Sequence, residues 1–200
     1  VDVVRFFTRL KAKLMPYLYK TAITASRTGI PCMRSMVLEY TEDKMCNYLD
    51  KQYMLGDNLL VAPIFNDESR AEYYLPAGIW TNFFTGKEYK GGTWIEEQHG
   101  YLSILMVREN SIIAIGAHDD KPDYDYADSC ELRVYTLLDG VKAETTVYGM
   151  SNLPELTVSA ARSGHTIHVT AEGSKPYTIR MVNMHAAEAV NGFVVIEGND

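Results

Sequence analysis

The stretch Gln52-Tyr53-Met54-Leu55-Gly56-Asp57-Asn58-Leu59-Leu60-Val61-Ala62-Pro63 marks a change of grammar along the chain. Gly56-Asp57-Asn58 is a turn sequence, because glycine reaches left-handed backbone and Asp and Asn bond back to their own main chain. Leu59–Ala62 is a continuous apolar run, and Pro63 closes it because proline has no N–H to give to a ladder. From here onward the chain reads as short strands and turns.

Tyr73-Tyr74-Leu75 leads into Pro76-Ala77-Gly78, and Ile79–Phe84 precedes Thr85-Gly86. Further strand signals lie at 93–96, 104–107 and 112–115, and their spacing predicts a small antiparallel β-sandwich over 52–117. His118–Asp128 is acidic and contains Pro122, which reads as a linker. Beyond it Leu132, Val134 and Thr136 alternate with Arg133 and Tyr135, and Asp139-Gly140 predicts a two-residue hairpin onto Val141, Ala143, Thr145 and Val147. Runs at 156–159, 166–170, 177–182 and 193–196 complete a second sandwich over 118–200.

Upstream of Gln52 the period is different. Val3, Phe7, Leu10, Leu14, Leu18 and Ala22 recur at three- and four-residue steps, which places them on one helix face. Pro16 predicts a kink there, or two helices meeting. Gly29 ends the helix with Arg27 in its last turn, and Cys32–Leu38 then reads as a buried strand. One helix–strand step makes no sheet by itself. Together with an opening, Val1–Phe7, already inside a helical pattern, this predicts that the chain is the C-terminal part of a larger protein.

The 200 residues are 46% hydrophobic and 22% charged, an ordinary globular composition. A net charge of −7 argues against nucleic acid, whose phosphates need clustered Lys and Arg. No run approaches the about 20 apolar residues that cross a bilayer. Cys32, Cys46 and Cys130 are odd in number and form no C-x-x-C, which favours a reducing, cytoplasmic setting over a disulfide framework or zinc site.

Chemistry is sparse. There is no G-x-S-x-G, Walker A loop, dinucleotide-binding glycine pattern or H-E-x-x-H. His99, His118, His165, His168 and His185 are scattered, and the three-residue step between His165 and His168 puts them on opposite faces of a strand. Asp119, Asp120, Asp123, Asp125 and Asp128 lack the glycine and distal Glu of a calcium loop, so a solvated linker is the preferred reading. Glu39, Asp43, Asp50 and Asp57 are candidate acid–base carboxylates, Glu39 standing at a strand end, although structural roles are favoured for all four. Trp80, Phe83, Phe84, Tyr89, Trp94 and Tyr101 could stack on sugar or fill a sandwich core. Trp80, Asn82 and Phe84 fall on one strand face, and Thr81 and Phe83 on the other.

Three stretches in order carry a family resemblance: Leu14–Tyr19 followed by Gly29–Met36, then Gln52–Pro63, then Tyr74–Gly86. They closely resemble glycoside hydrolase family 31, the α-glucosidases and α-xylosidases, over residues 5–116. Pro122-Asp123-Tyr124-Asp125-Tyr126 extends the resemblance, and the surroundings of Leu38-Glu39-Tyr40 and Asn47-Tyr48-Leu49-Asp50 are most similar to the bacterial α-xylosidase branch.

The resemblance implies a retaining hydrolase acting from a (β/α)8 barrel, with an Asp nucleophile and a second Asp as acid and base. Both belong to motifs upstream of the matched region, and no W-x-D-M-x-E motif occurs here. It therefore implies no catalytic, cofactor-binding or metal residue in this chain, and no cofactor. The implied architecture is mainly β: residues 1–51 as the last portion of the barrel, 52–117 as a proximal β-sandwich, and 118–200 as a distal one. The implied partners are the missing N-terminal barrel of the same protein and, for that parent, an oligosaccharide; nucleic acid and membrane are not expected. A carbohydrate-binding module and an oligomerisation domain are the alternatives.

Overall fold

The computed structural model describes residues 1–98 and 103–183. The expectations for His99, Tyr101, His185 and a strand at 193–196 lie outside these residues. The described residues are mainly β, with fourteen strands in four sheets and few helices. They form two compact units, one within residues 29–109 and one of residues 1–28 together with 110–183.

The chain opens with two helices, α1 (Asp2–Lys13) and α2 (Met15–Thr28), meeting at Leu14. Pro16 sits in the first turn of α2, where its missing N–H has no intrahelical acceptor to lose. The buried side chains of the pair are Ala12, Leu14, Pro16, Tyr17, Thr21 and Ile23. Of the expected stripe, only Leu14 is fully buried, and Ala22 is exposed. A new helix begins after Leu14, so a period counted through from α1 does not carry across the break.

In the unit 29–109, β1 (Met33–Ser35) pairs antiparallel with β2 (Tyr53–Leu55), Met33 opposite Leu55. Strand geometry stops at Ser35 and a single helical turn follows, α3 (Met36–Glu39). One turn can bury only one side. Met36 is fully enclosed, while Val37 and Leu38 are 41% and 52% exposed, so the expected buried strand over Cys32–Leu38 shortens to three residues.

The sheet continues through β3 (Leu59–Pro63) to β8 (Ser103–Arg108), β5 (Ile79–Asn82) and β6 (Glu88–Lys90), in the order β1-β2-β3-β8-β5-β6. A second, two-stranded sheet pairs β4 (Arg70–Leu75) with β7 (Thr93–Gln98). All these pairings are antiparallel. Met36, Met54, Leu60, Tyr73, Leu75, Trp80, Ile104 and Met106 form the core. β5 ends at Asn82 because its Oδ1 accepts from the N–H groups of Phe84 and Thr85 at 2.9 and 3.0 Å, turning the chain.

In the other unit, β9 (Ser111–Ile115) pairs antiparallel with β10 (Cys130–Tyr135), and β10 pairs in parallel with β14 (Tyr177–Met181). A second sheet runs β11 (Lys142–Tyr148), β12 (Pro154–Ser163), β13 (Thr166–Gly173). Inward residues of both sheets share one core, among them Ile112, Leu132, Val134, Val147, Leu156 and Val158. α2 packs on β9 and β11 of the same unit. Tyr19 donates to Asn152 Oδ1 at 2.6 Å and Lys20 to Thr145 Oγ1 at 3.2 Å.

Two sequence expectations change here. Asp139-Gly140 makes a turn with Gly140 at φ 76°, but β10 and β11 on either side enter different sheets and do not pair. The turn docks instead on the true hairpin after β12: Gly140 N–H donates to Arg162 O, and Asp139 Oδ1 accepts from Gly164 N–H at 2.7 Å. The stretch 118–128 is also no spacer. Tyr124, Tyr126 and Ala127 are buried in the core, and the Tyr124 hydroxyl donates to Ala12 O at 2.7 Å. The ladder between β9 and β10 spans this stretch, so the compact units divide at 109/110, where the change in composition suggested 117/118.

Candidate functional site

Arg34 is the inward residue of β1, its side chain 6% exposed. A guanidinium so placed needs compensating charge. Its Nη1 donates to Glu39 Oε2 at 2.9 Å, its Nη2 meets Asp57 Oδ1 at 2.8 Å, and its Nε donates to Pro31 O at 3.1 Å. Burial works against the charge of Arg34, but the hydrogen bonds and charges of Glu39 and Asp57 outweigh it and lift its pKa above the ordinary arginine value.

Arg108, at the end of β8, completes the cluster. Both of its terminal nitrogens donate to Glu39 Oε1, at 3.1 and 2.9 Å, and Nη1 lies 3.4 Å from the Tyr40 hydroxyl. Its guanidinium also lies 6.0 Å from the centre of the Tyr40 ring. Burial pushes the Tyr40 phenol up to about 12, with Arg108 opposing and Glu39 reinforcing.

The structure thus brings two of the four candidate carboxylates, Glu39 and Asp57, to one guanidinium. A general acid or base must offer a proton or a lone pair to substrate. Both oxygens of Glu39 already accept from arginine, and Asp57 binds the same Arg34. The arrangement is a brace that ties β1, α3, the turn before β3 and the end of β8 together.

Asp43 is elsewhere and holds local structure: Oδ1 accepts from Met45 N–H at 3.0 Å and Oδ2 from the Tyr74 hydroxyl at 2.9 Å. Burial, then this contact, raises the Tyr74 phenol to about 12. Asp50 is exposed.

In the acidic stretch, Asp125 meets the Lys175 ammonium at 2.7 Å, which holds its carboxyl below the usual range, and Lys175 also binds Glu155. Asp128 Oδ1 accepts from Ser129, and Asp120 and Asp123 are exposed. Among the described residues no three His, Cys, Asp or Glu side chains converge as metal ligands would. His165 lies in the β12–β13 turn and His168 is exposed on β13.

The aromatic candidates separate. Trp80 is 1% exposed and its Nε1 donates to Pro76 O at 2.8 Å, so it is core. Phe83 and Phe84 pack edge-to-face in the turn after β5, and Tyr89 donates to Glu97 at 2.9 Å. Trp94 is 45% exposed on β7, its ring 5.7 Å from that of Tyr74.

Sequence reasoning missed Arg34, Tyr40 and Arg108 as members of one site. The signal for Arg34 was present, because a charge inside a run read as buried implies a partner. Arg108 is 69 residues from Glu39, and no local pattern joins them.

Residues 29–113 match the family described as the glycosyl hydrolase family 31 C-terminal domain, and residues 125–199 match the α-xylosidase YicI C-terminal domain. An α-xylosidase of Emericella nidulans is 35% identical over 185 residues, covering 85% of this chain and 23% of that protein. The α-xylosidase XylQ of Lactiplantibacillus pentosus is 40% identical over 135 residues, covering 65% and 18%. Among solved structures, a family 31 dextranase of Flavobacterium johnsoniae superposes with a TM-score of 0.76 at 26% identity, covering 90% of this chain and 24% of its own. The chain therefore spans less than a quarter of these relatives.

Proposed function

Because the chain belongs to glycoside hydrolase family 31, as its C-terminal portion, we propose that it is the structural C-terminal part of a retaining enzyme cleaving α-xylosidic or α-glucosidic bonds. In this reading the reaction is carried by two carboxylates of an upstream barrel, a nucleophile that forms a glycosyl-enzyme intermediate and an acid that then acts as base. Residues 1–51 would be the last part of that barrel, followed by a proximal β-domain ending at 109 and a distal one beginning at 110.

The observation that carries the reading is the engagement of Glu39 and Asp57 by arginines, in a chain matching under a quarter of enzymes described as α-xylosidases. The candidate carboxylates act as structural anchors, leaving the chemistry to the part of the parent that precedes them. Three unpaired cysteines support a reducing, cytoplasmic setting.

The test compares turnover of aryl α-xyloside and α-glucoside by the 200-residue chain and by the longer protein that contains it. The chain alone should be inactive and the longer protein active. Turnover by the chain alone, abolished in Glu39→Gln, would refute the assignment.

A further inference from the structure

On the two-stranded sheet, β4 and β7 run antiparallel with Tyr74 opposite Trp94, Glu72 opposite Glu96 and Arg70 opposite Gln98. Directly opposed residues share a face, so these six lie on one side of the sheet. Three features set this face apart from an ordinary solvated surface.

Trp94 leaves 45% of its surface open, although the other tryptophan, Trp80, is enclosed. One flank of the exposed indole is braced by the buried Tyr74 ring, whose hydroxyl is fixed by Asp43. Two carboxylates, Glu72 and Glu96, stand directly across from each other, which is unfavourable for a sheet. Arg70 relieves them through a 3.1 Å contact with Glu96, but that pair is 62% and 61% exposed and so contributes little to stability. Finally, at the Arg70–Gln98 end of the strand pair, beyond Trp94, a surface depression of about 450 Å³ is lined by Arg70, Glu96 and Gln98 of this face together with Glu68 and Glu97.

We propose that this face is a sugar-binding subsite for a short, neutral oligosaccharide. The choice of ligand class rests on the glycosidase reading above. A pyranose presents an apolar face of C–H bonds and an equatorial belt of hydroxyls. The Trp94 indole takes the first. The carboxylate of Glu96, the guanidinium of Arg70 and the amide of Gln98 are planar groups that take adjacent hydroxyls in pairs. From Trp94 to Gln98 the strand rises about 13 Å, the reach of a short chain rather than of one ring. The depression is lined by three carboxylates and one guanidinium, so an anionic sugar is disfavoured. The easily parted Arg70–Glu96 pair frees both groups for a ligand.

The experiment uses the 200-residue chain, whose two tryptophans give two indole N–H signals in a proton–nitrogen spectrum. Isoprimeverose and isomaltotriose are titrated into the tens of millimolar, with glucuronic acid as the anionic control. The Trp94 signal should shift saturably with the neutral sugars while the Trp80 signal stays in place. Trp94→Ala, titrated by calorimetry because it lacks the reporting indole, should weaken binding about tenfold or more, and Glu96→Gln and Arg70→Gln should weaken it less, with the Trp80 signal reporting that each variant remains folded. No saturable shift of Trp94, equal shifts of both signals, or tighter binding of glucuronic acid would overturn the proposal. Inactivity or activity of the longer enzyme has no bearing on this result, so the two readings fail separately.

Discussion

Arg34 stands five residues before Glu39, and its Nη1 reaches back across the junction of β1 and α3 to Glu39 Oε2 at 2.9 Å. The chain turns from strand to helix between the two, and the ion pair closes that turn from inside. Arg108 takes the other oxygen of Glu39, so the carboxylate is shared between two guanidinium groups.

Breaking this pair should be costly. Arg34 and Glu39 side chains are 6% and 16% exposed, so removing one leaves the other buried with only its second partner, Asp57 for Arg34 and Arg108 for Glu39. Glu39→Ala or Arg34→Ala should destabilise the unit 29–109 by about 3 kcal/mol. The double change Arg34→Met, Glu39→Leu should recover only part of that loss, because it removes the buried pair but leaves Asp57 and Arg108, 48% and 31% exposed, without their ion-pair partners. Urea unfolding followed by Trp80 fluorescence measures both.

Lys175 joins Asp125 and Glu155 and should set the acid limb of stability. The carboxyl of Asp125 is held below its ordinary value of 3.8, chiefly by the hydrogen bond from Lys175. A depressed pKa means that the contribution is present above the ordinary value and is lost as pH falls below it. Asp125 is 47% exposed, so solvent screening keeps the effect small. Urea midpoints should decline below about pH 4, and Asp125→Asn should flatten part of that decline. An unchanged slope in the variant would remove Asp125 from the account.

Gly116 is required by its neighbour. A Cβ there would lie 1.8 Å from the Tyr124 hydroxyl oxygen and 2.7 Å from the ring carbon that bears it. Tyr124 is pinned by its hydrogen bond to Ala12 O and cannot retreat freely. Gly116→Ala should therefore destabilise by about 2 kcal/mol. Tyr124→Phe in the same chain should rescue part of it, since the nearest atom is gone while the ring remains. Thermal unfolding of the three variants as a double-mutant cycle tests the coupling.

Much of the strand order was legible in the sequence, for a local reason. Alternation in Leu132–Val134, the apolar run Leu59–Ala62 and the turn at Gly56-Asp57-Asn58 each report on their own backbone and form as read, whereas Tyr135 is buried and β10 stops before Thr136. Pro16 likewise marks where one helix gives way to another. The three quoted motifs were enough to place the chain in its family.

What required the tertiary structure is everything that depends on distant residues. β9 follows β8 after two residues yet pairs with β10, because its apolar side belongs to the core of Leu132 and Val134. Asp139-Gly140 has the chemistry of a hairpin, but its flanking strands find better partners in different sheets. Val37 and Leu38 are apolar and exposed because a single turn buries only Met36. Glu39 was visible as a carboxylate at a strand end, and only the fold shows that Arg34 and Arg108 claim both its oxygens. Local backbone preference is written in neighbouring residues, whereas charge compensation and strand pairing are set by which side chains the fold brings within a few ångströms.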